Sequence, residues 1–379
     1  MVYRDFGNTG VRLSPLGFGM MRLPEDEKTS VEMVRSAIDA GINYIDTAYN
    51  YLGGNSEFIT ARALADGYRD MIHLATKMPV WMIEGEHDFD RILGEQLKRL
   101  QTDQIDFYLL HALNRDSWKK VLRFDLLRKM QEAREAGKVC YLGFSFHDTF
   151  DLFKEIIDAF EEWDFCQIQL NYTDVYYQAG LKGMKYAGER GLGIVIMEPL
   201  RGGFLANVPR EVSEVFSEGE RCGFRRTPAE WAFDFLWDLP EVGVVLSGMS
   251  TPEQVAENIS YAERSAPGML SEAEHQILKK AYRQFLNYNA VPCTGCAYCM
   301  HCPKGIAIPQ SIAAYNEAFK EHNHKKAKKQ YEEWVPLFGA KPSACISCRQ
   351  CEAICPQQLE VSKWMHEIDS FFTKESGRA

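Results

Sequence analysis

Residues 105–145 read IDFYLLHALNRDSWKKVLRFDLLRKMQEAREAGKVCYLGFS. The stretch opens with the apolar run Ile105–Leu110, continues with the amphipathic pattern Trp118–Glu135, and closes with the apolar run Val139–Ser145. Gly137, just after the amphipathic part, is typical of a helix C-terminus. Short, continuously apolar strands separated by helices are typical of a parallel sheet that is buried on both faces. The stretch therefore predicts one strand–helix–strand unit of an α/β domain.

The same alternation continues on both sides of this stretch. After a hairpin that turns at residues 7–10, eight apolar runs predict strands: Leu16–Met21, Ile42–Thr47, Ile72–Lys77, Ile105–Leu110, Val139–Ser145, Phe165–Leu170, Gly193–Met197 and Val242–Leu246. Amphipathic segments predict helices, among them Ser30–Ala40, Asp90–Leu100, Trp118–Glu135, Asp151–Phe160 and Pro228–Leu239. Eight such units in about 260 residues predict a (β/α)8 TIM barrel. A doubly wound sheet is the alternative, which only the lone Gly-x-Gly at Gly17 and Gly19 supports.

The C-terminal part of the chain carries eight of its eleven cysteines, in two runs that each end in Cys-Pro. The runs are Cys293, Cys296, Cys299, Cys302 and Cys345, Cys348, Cys351, Cys355. The second run has the spacing C-x2-C-x2-C-x3-C-P of bacterial two-cluster ferredoxins, and the first is one residue shorter. Structural zinc usually takes two separated cysteine pairs, so zinc is the weaker alternative. The runs predict a small ferredoxin-like domain that holds two [4Fe–4S] clusters.

Composition and charge limit the classes of protein to which this chain can belong. The chain has 379 residues, of which 46% are hydrophobic and 25% charged, and its formal net charge is −10. The negative charge argues against nucleic acid or an anionic membrane as the main partner, and no apolar run approaches the ~18 residues of a membrane span. We expect a cytoplasmic protein with a barrel at residues 1–268, a connecting helix at 269–290 and an iron–sulfur domain at 291–379.

Four titratable side chains fall at or just after the ends of successive predicted strands: Asp46, Tyr51, Lys77 and His111. Each one alone has an ordinary structural explanation, but loops at the carboxyl ends of barrel strands meet at one mouth. A lysine buried there requires a partner such as Asp46, and its charge favours ionisation of Tyr51. A tyrosine in this setting can protonate a carbonyl oxygen, which His111 can hold.

These segments resemble the aldo-keto reductase superfamily over about residues 1–265. The resemblance rests on Asp46–Tyr51 with Ser56-Glu57, on Ala75–Lys77 and on Ile105–His111. It implies NAD(P)H-dependent interconversion of carbonyl and alcohol on a small molecule, with Tyr51 as general acid and base and Asp46, Lys77 and His111 in support. The cofactor would contact a set of residues in four loops: Ser145, Gln169, Pro199, Leu200, Gly202, Gly203, Gly248, Ser250, Gln254 and Asn258.

The complete chain resembles a subgroup of this superfamily with a C-terminal dicluster ferredoxin-like domain. By that resemblance, one [4Fe–4S] cluster takes Cys293, Cys296, Cys299 and Cys355, and the other takes Cys345, Cys348, Cys351 and Cys302. Hydride carries two electrons and a cluster passes one, so three alternatives stay open. A flavin such as FMN in the barrel could link the two, the clusters could be structural beside a nicotinamide site, or the protein could be a non-catalytic electron carrier or redox sensor. A ferredoxin or other one-electron carrier is a candidate partner.

Overall fold

The computed structural model describes residues 1–286, 291–320 and 324–374. The chain divides into two compact units, and neither is one continuous segment. The first, the barrel unit, consists of Met1–Pro199 and Ala232–Ser271, and the second, the cysteine unit, consists of Leu200–Trp231 and Glu272–Ala379. The domain limits predicted above stay a prediction, and residues 287–290 of the predicted connecting helix lie outside the described residues.

Eight parallel strands close the barrel. An antiparallel hairpin comes first, formed by β1 (Arg4–Asp5) and β2 (Arg12–Leu13). The barrel strands are β3 (Leu16–Gly19), β4 (Tyr44–Asp46), β5 (His73–Met78), β6 (Ile105–Leu113), β7 (Val139–Phe146), β8 (Phe165–Gln169), β9 (Gly193–Met197) and β10 (Val244–Ser247). They pair in sequence order, and β10 pairs with β3. The predicted TIM barrel is confirmed, because a doubly wound sheet would leave two open edges.

Helices follow the strands around the barrel and into the next unit. Their bounds are α1 Glu27–Asp39, α2 Ser56–Leu64, α3 Asp88–Leu100, α4 Arg115–Arg123, α5 Leu126–Glu135, α6 Phe150–Asp158, α7 Gly180–Gly188, α8 Arg210–Arg221, α9 Pro228–Trp237, α10 Pro252–Ala262 and α11 Glu272–Leu286. The single helix predicted for Trp118–Glu135 was wrong, since α4 and α5 share that stretch. Asp125 between them has φ 50°, a left-handed conformation that a continuous α-helix does not contain.

The hairpin closes one end of the barrel with an aromatic side chain. Phe6 is fully buried, and its ring centroid lies 5.5 Å from that of Phe107 and 6.0 Å from that of Phe165. Both partners lie near the amino-terminal halves of their strands, so this end of the barrel is a packed apolar layer. The carboxyl ends of the strands are therefore the end at which loops can form a site.

The cysteine unit is helical. Its further helices are α12 Ile308–Lys320, α13 His324–Lys329, α14 Val335–Phe338, α15 Gln350–Ala353 and α16 Val361–Lys374, with a π-helical turn at Gln330–Trp334. A core of buried aliphatic and aromatic side chains lies between them, and six of the cysteines pack against its edge. Helices α8 and α11 also pack together here, where Gly219 contacts Ile277. Among the described residues, no helix is long and apolar enough to cross a membrane.

Candidate functional site

The predicted catalytic residues meet at the carboxyl ends of three neighbouring strands. Asp46 is the last residue of β4, Lys77 lies near the end of β5, and His111 lies near the end of β6. The β4–β5 and β5–β6 pairings hold these strand ends side by side. Tyr51 lies in the loop after β4, and all four side chains are buried. The structure thus brings together the four residues that the sequence predicted.

Lys77 is held by an ion pair and by a backbone carbonyl. Its Nζ donates to Asp46 Oδ1 at 2.6 Å and to the carbonyl oxygen of Thr47 at 2.8 Å. Burial lowers the pKa of Lys77, and Asp46 opposes that shift by stabilising the ammonium. Burial likewise raises the pKa of Asp46, and Lys77 opposes it. Each charge therefore depends on the other, because neither is stable alone in a dry site.

The loop after β4 turns Tyr51 back over Lys77. Leu52 and Gly53 both adopt left-handed backbone conformations, with φ of 52° and 64°, and end the short turn that starts at Tyr51. The ammonium of Lys77 lies 4.8 Å from the centroid of the Tyr51 ring, within the range of a cation–π contact. The His111 ring packs edge-on against Tyr51, with 5.9 Å between centroids.

His111 is the second proton-bearing ring of the site. Burial and the nearby charge of Lys77 hold its pKa well below the ordinary value of 6.5, so the ring is neutral and can both donate and accept one hydrogen bond. The next residue, Ala112, has φ 53° and donates its N–H to Ser145 Oγ at 2.7 Å. Ser145, a predicted cofactor residue, thus fixes the backbone directly after His111.

The sequence prediction missed two rings beside His111. The Trp81 ring centroid lies 5.0 Å from that of His111, and the indole is 42% exposed, as a wall of a substrate pocket would be. His147 directly follows β7, and a positive charge on it would lower the pKa of His111 further. Burial lowers the pKa of His147 to about 4. Strand-end spacing pointed to one side chain per loop, and neither ring stands at the last position of its strand.

A buried polar network behind Lys77 was also missed. Glu57 Oε1 accepts hydrogen bonds from Thr76 Oγ1 and Gln96 Nε2, both at 2.8 Å. The same Gln96 amide donates to the carbonyl oxygen of Lys77 at 3.0 Å, and Tyr108 donates to Gln96 Oε1 at 2.7 Å. The network therefore fixes the backbone on which Lys77 stands. Its members come from two helices and two strands, so no local sequence pattern indicates it.

The predicted cofactor residues of the barrel unit lie at the carboxyl ends of β7 and β8 and, after β9 and β10, in the following loops and in α10. Gln169, the last residue of β8, donates its amide to Asp174 Oδ2 at 2.9 Å. After β10, Gln254 accepts from Ser250 N at 2.8 Å and Asn258 donates to Ser247 Oγ at 3.0 Å. These bonds fix the chain after β8 and after β10.

Arg22, a basic side chain that the sequence prediction did not include, follows β3 and packs over the loop after β10. The aliphatic part of Arg22 packs over Gly248, where an added Cβ would lie 3.1 Å from Arg22 Cγ. Arg226, by contrast, pairs with Glu274 at 2.5 Å within the cysteine unit. Arg22 is therefore the cation that the described barrel unit offers beside the predicted cofactor residues Gly248 and Ser250.

The loop after β9 is divided between the two units. Pro199 belongs to the barrel unit, whereas Leu200, Gly202 and Gly203 belong to the cysteine unit. Gly202 has φ 64°, and a Cβ at this position would clash with the carbonyl oxygen of Thr294. Thr294 stands between the first two cysteines of the first run, so Gly202 lies directly against that run. The structure therefore groups these predicted cofactor residues with the cysteines rather than with Ser145 and Gln169.

The eight cysteines form two groups of four that cross between the runs. The pKa of Cys299 is raised by burial and by the neighbouring thiols of three cysteines, Cys296, Cys293 and Cys355. Burial, Glu352 and the thiols of Cys302 and Cys345 raise the pKa of Cys351 to about 11. Cys302, Cys345, Cys348 and Cys351 also line one open cleft, together with Lys304 and Arg349. The proximity of these thiols matches the two ligand sets that the resemblance implies.

The donor set fits a cluster better than a single ion. Among the described residues, no three His, Cys, Asp or Glu side chains come close enough together to hold one metal ion. A tetrahedral zinc site requires all its ligands about 2.0–2.3 Å from one centre. An iron–sulfur cluster takes one thiolate on each iron at its corners and so suits four thiols spaced around a cleft.

Comparison with known proteins agrees with both parts of the chain. Residues 15–283 match the "Aldo/keto reductase family" model, and residues 292–360 match the "4Fe-4S dicluster domain" model. An aldo-keto reductase of Mycobacterium avium is 30% identical over 261 residues, which are 66% of this chain and 82% of that protein. Aldo-keto reductase YhdN of Bacillus subtilis is 37% identical over 161 residues, which are 38% of this chain but only 47% of that protein.

A solved structure is similar to the larger part of the chain. The holo form of aldo-keto reductase AKR11C1 from Bacillus halodurans superposes with a TM-score of 0.62 at 26% identity. The superposition covers 74% of this chain and 96% of that protein. The C-terminal cysteine runs therefore come in addition to an almost complete reductase barrel.

Proposed function

The chain belongs to the aldo/keto reductase family and carries a 4Fe–4S dicluster domain, and from that premise we propose that it interconverts a carbonyl and an alcohol. The substrate is a small molecule bound at the carboxyl ends of the barrel strands. The eight cysteines hold two [4Fe–4S] clusters, which relay single electrons. One observation carries the proposal: Lys77 Nζ stands between the Asp46 carboxylate, at 2.6 Å, and the Tyr51 ring, at 4.8 Å.

In the reducing direction, Tyr51 donates its phenolic proton to the carbonyl oxygen. The ammonium of Lys77 favours the phenolate that remains, because an opposite charge nearby stabilises the ionised form. Asp46 keeps Lys77 charged despite its burial, and neutral His111 donates a hydrogen bond to the same substrate oxygen. Positioned proton donors of this kind contribute roughly 10²–10⁴-fold to a rate. In the oxidising direction, the same groups take the proton back.

A nicotinamide cofactor would supply hydride to the carbonyl carbon. Ser145, Gln169, Gly248 and Ser250 are the residues of the barrel unit that would hold it, with Arg22 beside Gly248 for an anionic group. Tyr51, Lys77 and His111 are buried, which excludes water from the proton that is transferred. Because clusters accept electrons singly, a flavin is the group that would connect the barrel chemistry to them.

Anaerobic isolation with iron, sulfide, flavin and nicotinamide quantified tests this proposal, together with electron paramagnetic resonance of the reduced protein. We expect about eight iron atoms per chain, as two [4Fe–4S] clusters require. A panel of aldehydes, ketones and alcohols, assayed with NADH, NADPH and a one-electron dye, then identifies the substrate class. If no flavin is found at any stoichiometry, the flavin link is excluded. The protein would then be a nicotinamide-dependent reductase whose clusters are structural.

A pair of tyrosine variants distinguishes a catalytic barrel from a barrel that carries out no reaction. Tyr51→Phe removes the proposed proton donor, whereas Tyr49→Phe removes a hydroxyl that binds Glu95 at 3.0 Å instead. We expect turnover to fall at least about a hundredfold in Tyr51→Phe and to change little in Tyr49→Phe. Equal turnover in both variants would favour a non-catalytic electron carrier or sensor.

A further inference from the structure

The second thiol group lies behind a short exposed loop. Residues 346–350 are all exposed, and they include the thiol residue Cys348 and the side chain of Ile346, which is 58% exposed. The four thiol residues of the first group are each only partly exposed. Because electron transfer slows steeply with distance, the cluster behind this loop is the better placed of the two to exchange electrons with another molecule.

Two basic side chains lie at this loop in a chain whose net charge is negative. Lys304 and Arg349 line the cleft of the second thiol group, and both are exposed. Among the described residues, Lys304 has no carboxylate within ion-pair distance, and Arg349 has only Glu352 at 4.0 Å. Residues 291–379 carry 11 Lys and Arg against 9 Asp and Glu, in a chain that carries 43 against 53. The cysteine-rich end is thus the basic end of the protein.

An exposed apolar ridge is anchored next to the same cleft. Trp334, Leu337 and Phe338 lie on one side of a helical turn and are 58%, 74% and 49% exposed. The chain then pairs Ala340 with Ile306, two residues beyond Lys304. Exposed aromatic side chains beside arginine are the composition that protein interfaces favour and that free surfaces rarely show.

We propose that this surface docks an acidic one-electron carrier protein, which exchanges electrons with the cluster of Cys302, Cys345, Cys348 and Cys351. The docking surface consists of Trp334, Leu337, Phe338, Ile346, Lys304 and Arg349. The inference rests on the proposed function, since it requires redox-active clusters. In the step itself, one electron leaves the reduced carrier and enters the oxidised cluster, and no bond or proton moves.

The test uses the cluster-containing full chain and reduced plant-type [2Fe–2S] ferredoxin, which is an acidic one-electron carrier. Stopped-flow absorbance gives the rate of cluster reduction, and calorimetry with oxidised ferredoxin gives the Kd. Charge reversal in Lys304→Glu/Arg349→Glu should lower the association rate at least about tenfold at low salt, because complementary charges steer association. The parent rate should fall with added salt, and that of the double variant should not.

Two control variants make the result specific. Lys98→Glu reverses an exposed charge on barrel helix α3 and should leave rate and Kd unchanged. Trp334→Ser/Leu337→Ser should weaken binding without removing the salt dependence. Dithionite should reduce the clusters of all variants equally, which separates docking from cluster loss. Binding that survives in a chain without carbonyl or alcohol turnover would leave the docking proposal standing after the proposed barrel chemistry had failed.

Three results would overturn the docking proposal. One is a parent chain that dithionite reduces but that neither binds ferredoxin nor takes electrons from it saturably. Another is a loss of rate in Lys304→Glu/Arg349→Glu no larger than in Lys98→Glu. The third is a dimer in the parent chain, seen by sedimentation, that dissociates in Trp334→Ser/Leu337→Ser while ferredoxin binding stays unchanged. That result would assign the surface to a second copy of the chain.

Discussion

Lys77 Nζ lies 2.6 Å from Asp46 Oδ1, and almost no solvent reaches either side chain. Burial raises the pKa of Asp46 from 3.8 and lowers that of Lys77 from 10.5. When folding raises the pKa of an acid, its ionisation lowers the free energy of unfolding at every pH above the unfolded pKa. When folding lowers the pKa of a base, its protonation lowers the free energy of unfolding at every pH below the unfolded pKa. Between these limits both groups are charged, so the pair lowers the free energy of unfolding at neutral pH.

The first prediction follows from that sign. Replacing both charges in Asp46→Leu/Lys77→Met should raise the free energy of unfolding at pH 7 by roughly 1–4 kcal/mol, while turnover is lost. Asp46→Leu alone should lower it by about 3–5 kcal/mol, because Lys77 is then buried without its partner. Urea unfolding followed by circular dichroism measures both values. A double variant less stable than the parent would contradict this assignment.

The second prediction concerns the pH dependence of turnover. Lys77→Met keeps the length of the side chain and removes the charge beside the Tyr51 ring, so turnover near neutral pH should fall about 10²–10⁴-fold. For alcohol oxidation, in which the Tyr51 phenolate accepts the proton, the loss should lessen as the pH rises, since the tyrosine then ionises without help. Initial rates over a pH series measure the effect, with Lys98→Met as the control. An unchanged pH–rate profile would remove the proposed link between Lys77 and Tyr51.

The third prediction is an acid-sensitive contribution of His147 to stability. Burial lowers the pKa of His147 to about 4, so the folded state resists protonation, and stability falls as the pH drops below the unfolded value near 6.5. Between pH 7 and pH 5 this group alone should cost at most about 2 kcal/mol. Paired unfolding curves at the two pH values should show a smaller drop for His147→Gln than for the parent. The exposed His87→Gln should behave as the parent does; equal drops in all three proteins would refute the prediction.

The fourth prediction tests whether the cysteine runs cross. Cys355→Ser should remove the cluster of the first run, although Cys355 belongs to the second, and should leave about half of the iron. Cys302→Ser should remove the other cluster. Electron paramagnetic resonance and iron analysis of each variant, with the exposed Cys222→Ser as control, distinguish the two signals. If Cys355→Ser and Cys351→Ser removed the same signal, each run would hold its own cluster.

The fifth prediction separates a contact from backbone strain. Gly202 and Gly203 both have positive φ, of 64° and 90°, but only at Gly202 would a Cβ meet another group, the carbonyl oxygen of Thr294. Gly203→Ala should therefore lower stability by about 1 kcal/mol through strain alone. Gly202→Ala should lower stability more and should also change the signal of the cluster that we propose Cys293 and Cys296 ligate. Identical spectra for the two variants would show that the contact with Thr294 does not reach the cluster.

Local patterns in the sequence predicted the barrel and the four strand-end residues, because apolar runs with helical spacing between them report burial on both faces of a sheet. The eight strands lie within three residues of their predicted bounds. The break at Asp125 could not be predicted, since nothing in the residues around it indicates a left-handed conformation. The crossed thiol groups were implied by resemblance, not by spacing.

The contacts that support the site could not be predicted from the sequence for a different reason. Glu57 meets Thr76 and Gln96, which lie 19 and 39 residues further along the chain. Trp81 approaches His111 only because β5 and β6 are neighbours in the barrel. Such pairs depend on how elements pack, and a single sequence carries no periodic signal for them. The assignment of Leu200–Trp231 to the cysteine unit belongs to the same class.

That assignment has a consequence for how the molecule can be taken apart. Leu200–Trp231 is inserted between two segments of the barrel unit, yet its partners include Glu274, Ile277 and Thr294, far downstream. During synthesis this segment is made before those partners and before the last barrel strand, β10, so it cannot form its native contacts until they have been synthesised. No cut at one peptide bond can therefore release a reductase half and an iron–sulfur half, each with all of its own contacts. Exchange of either half between proteins would have to carry this inserted segment along.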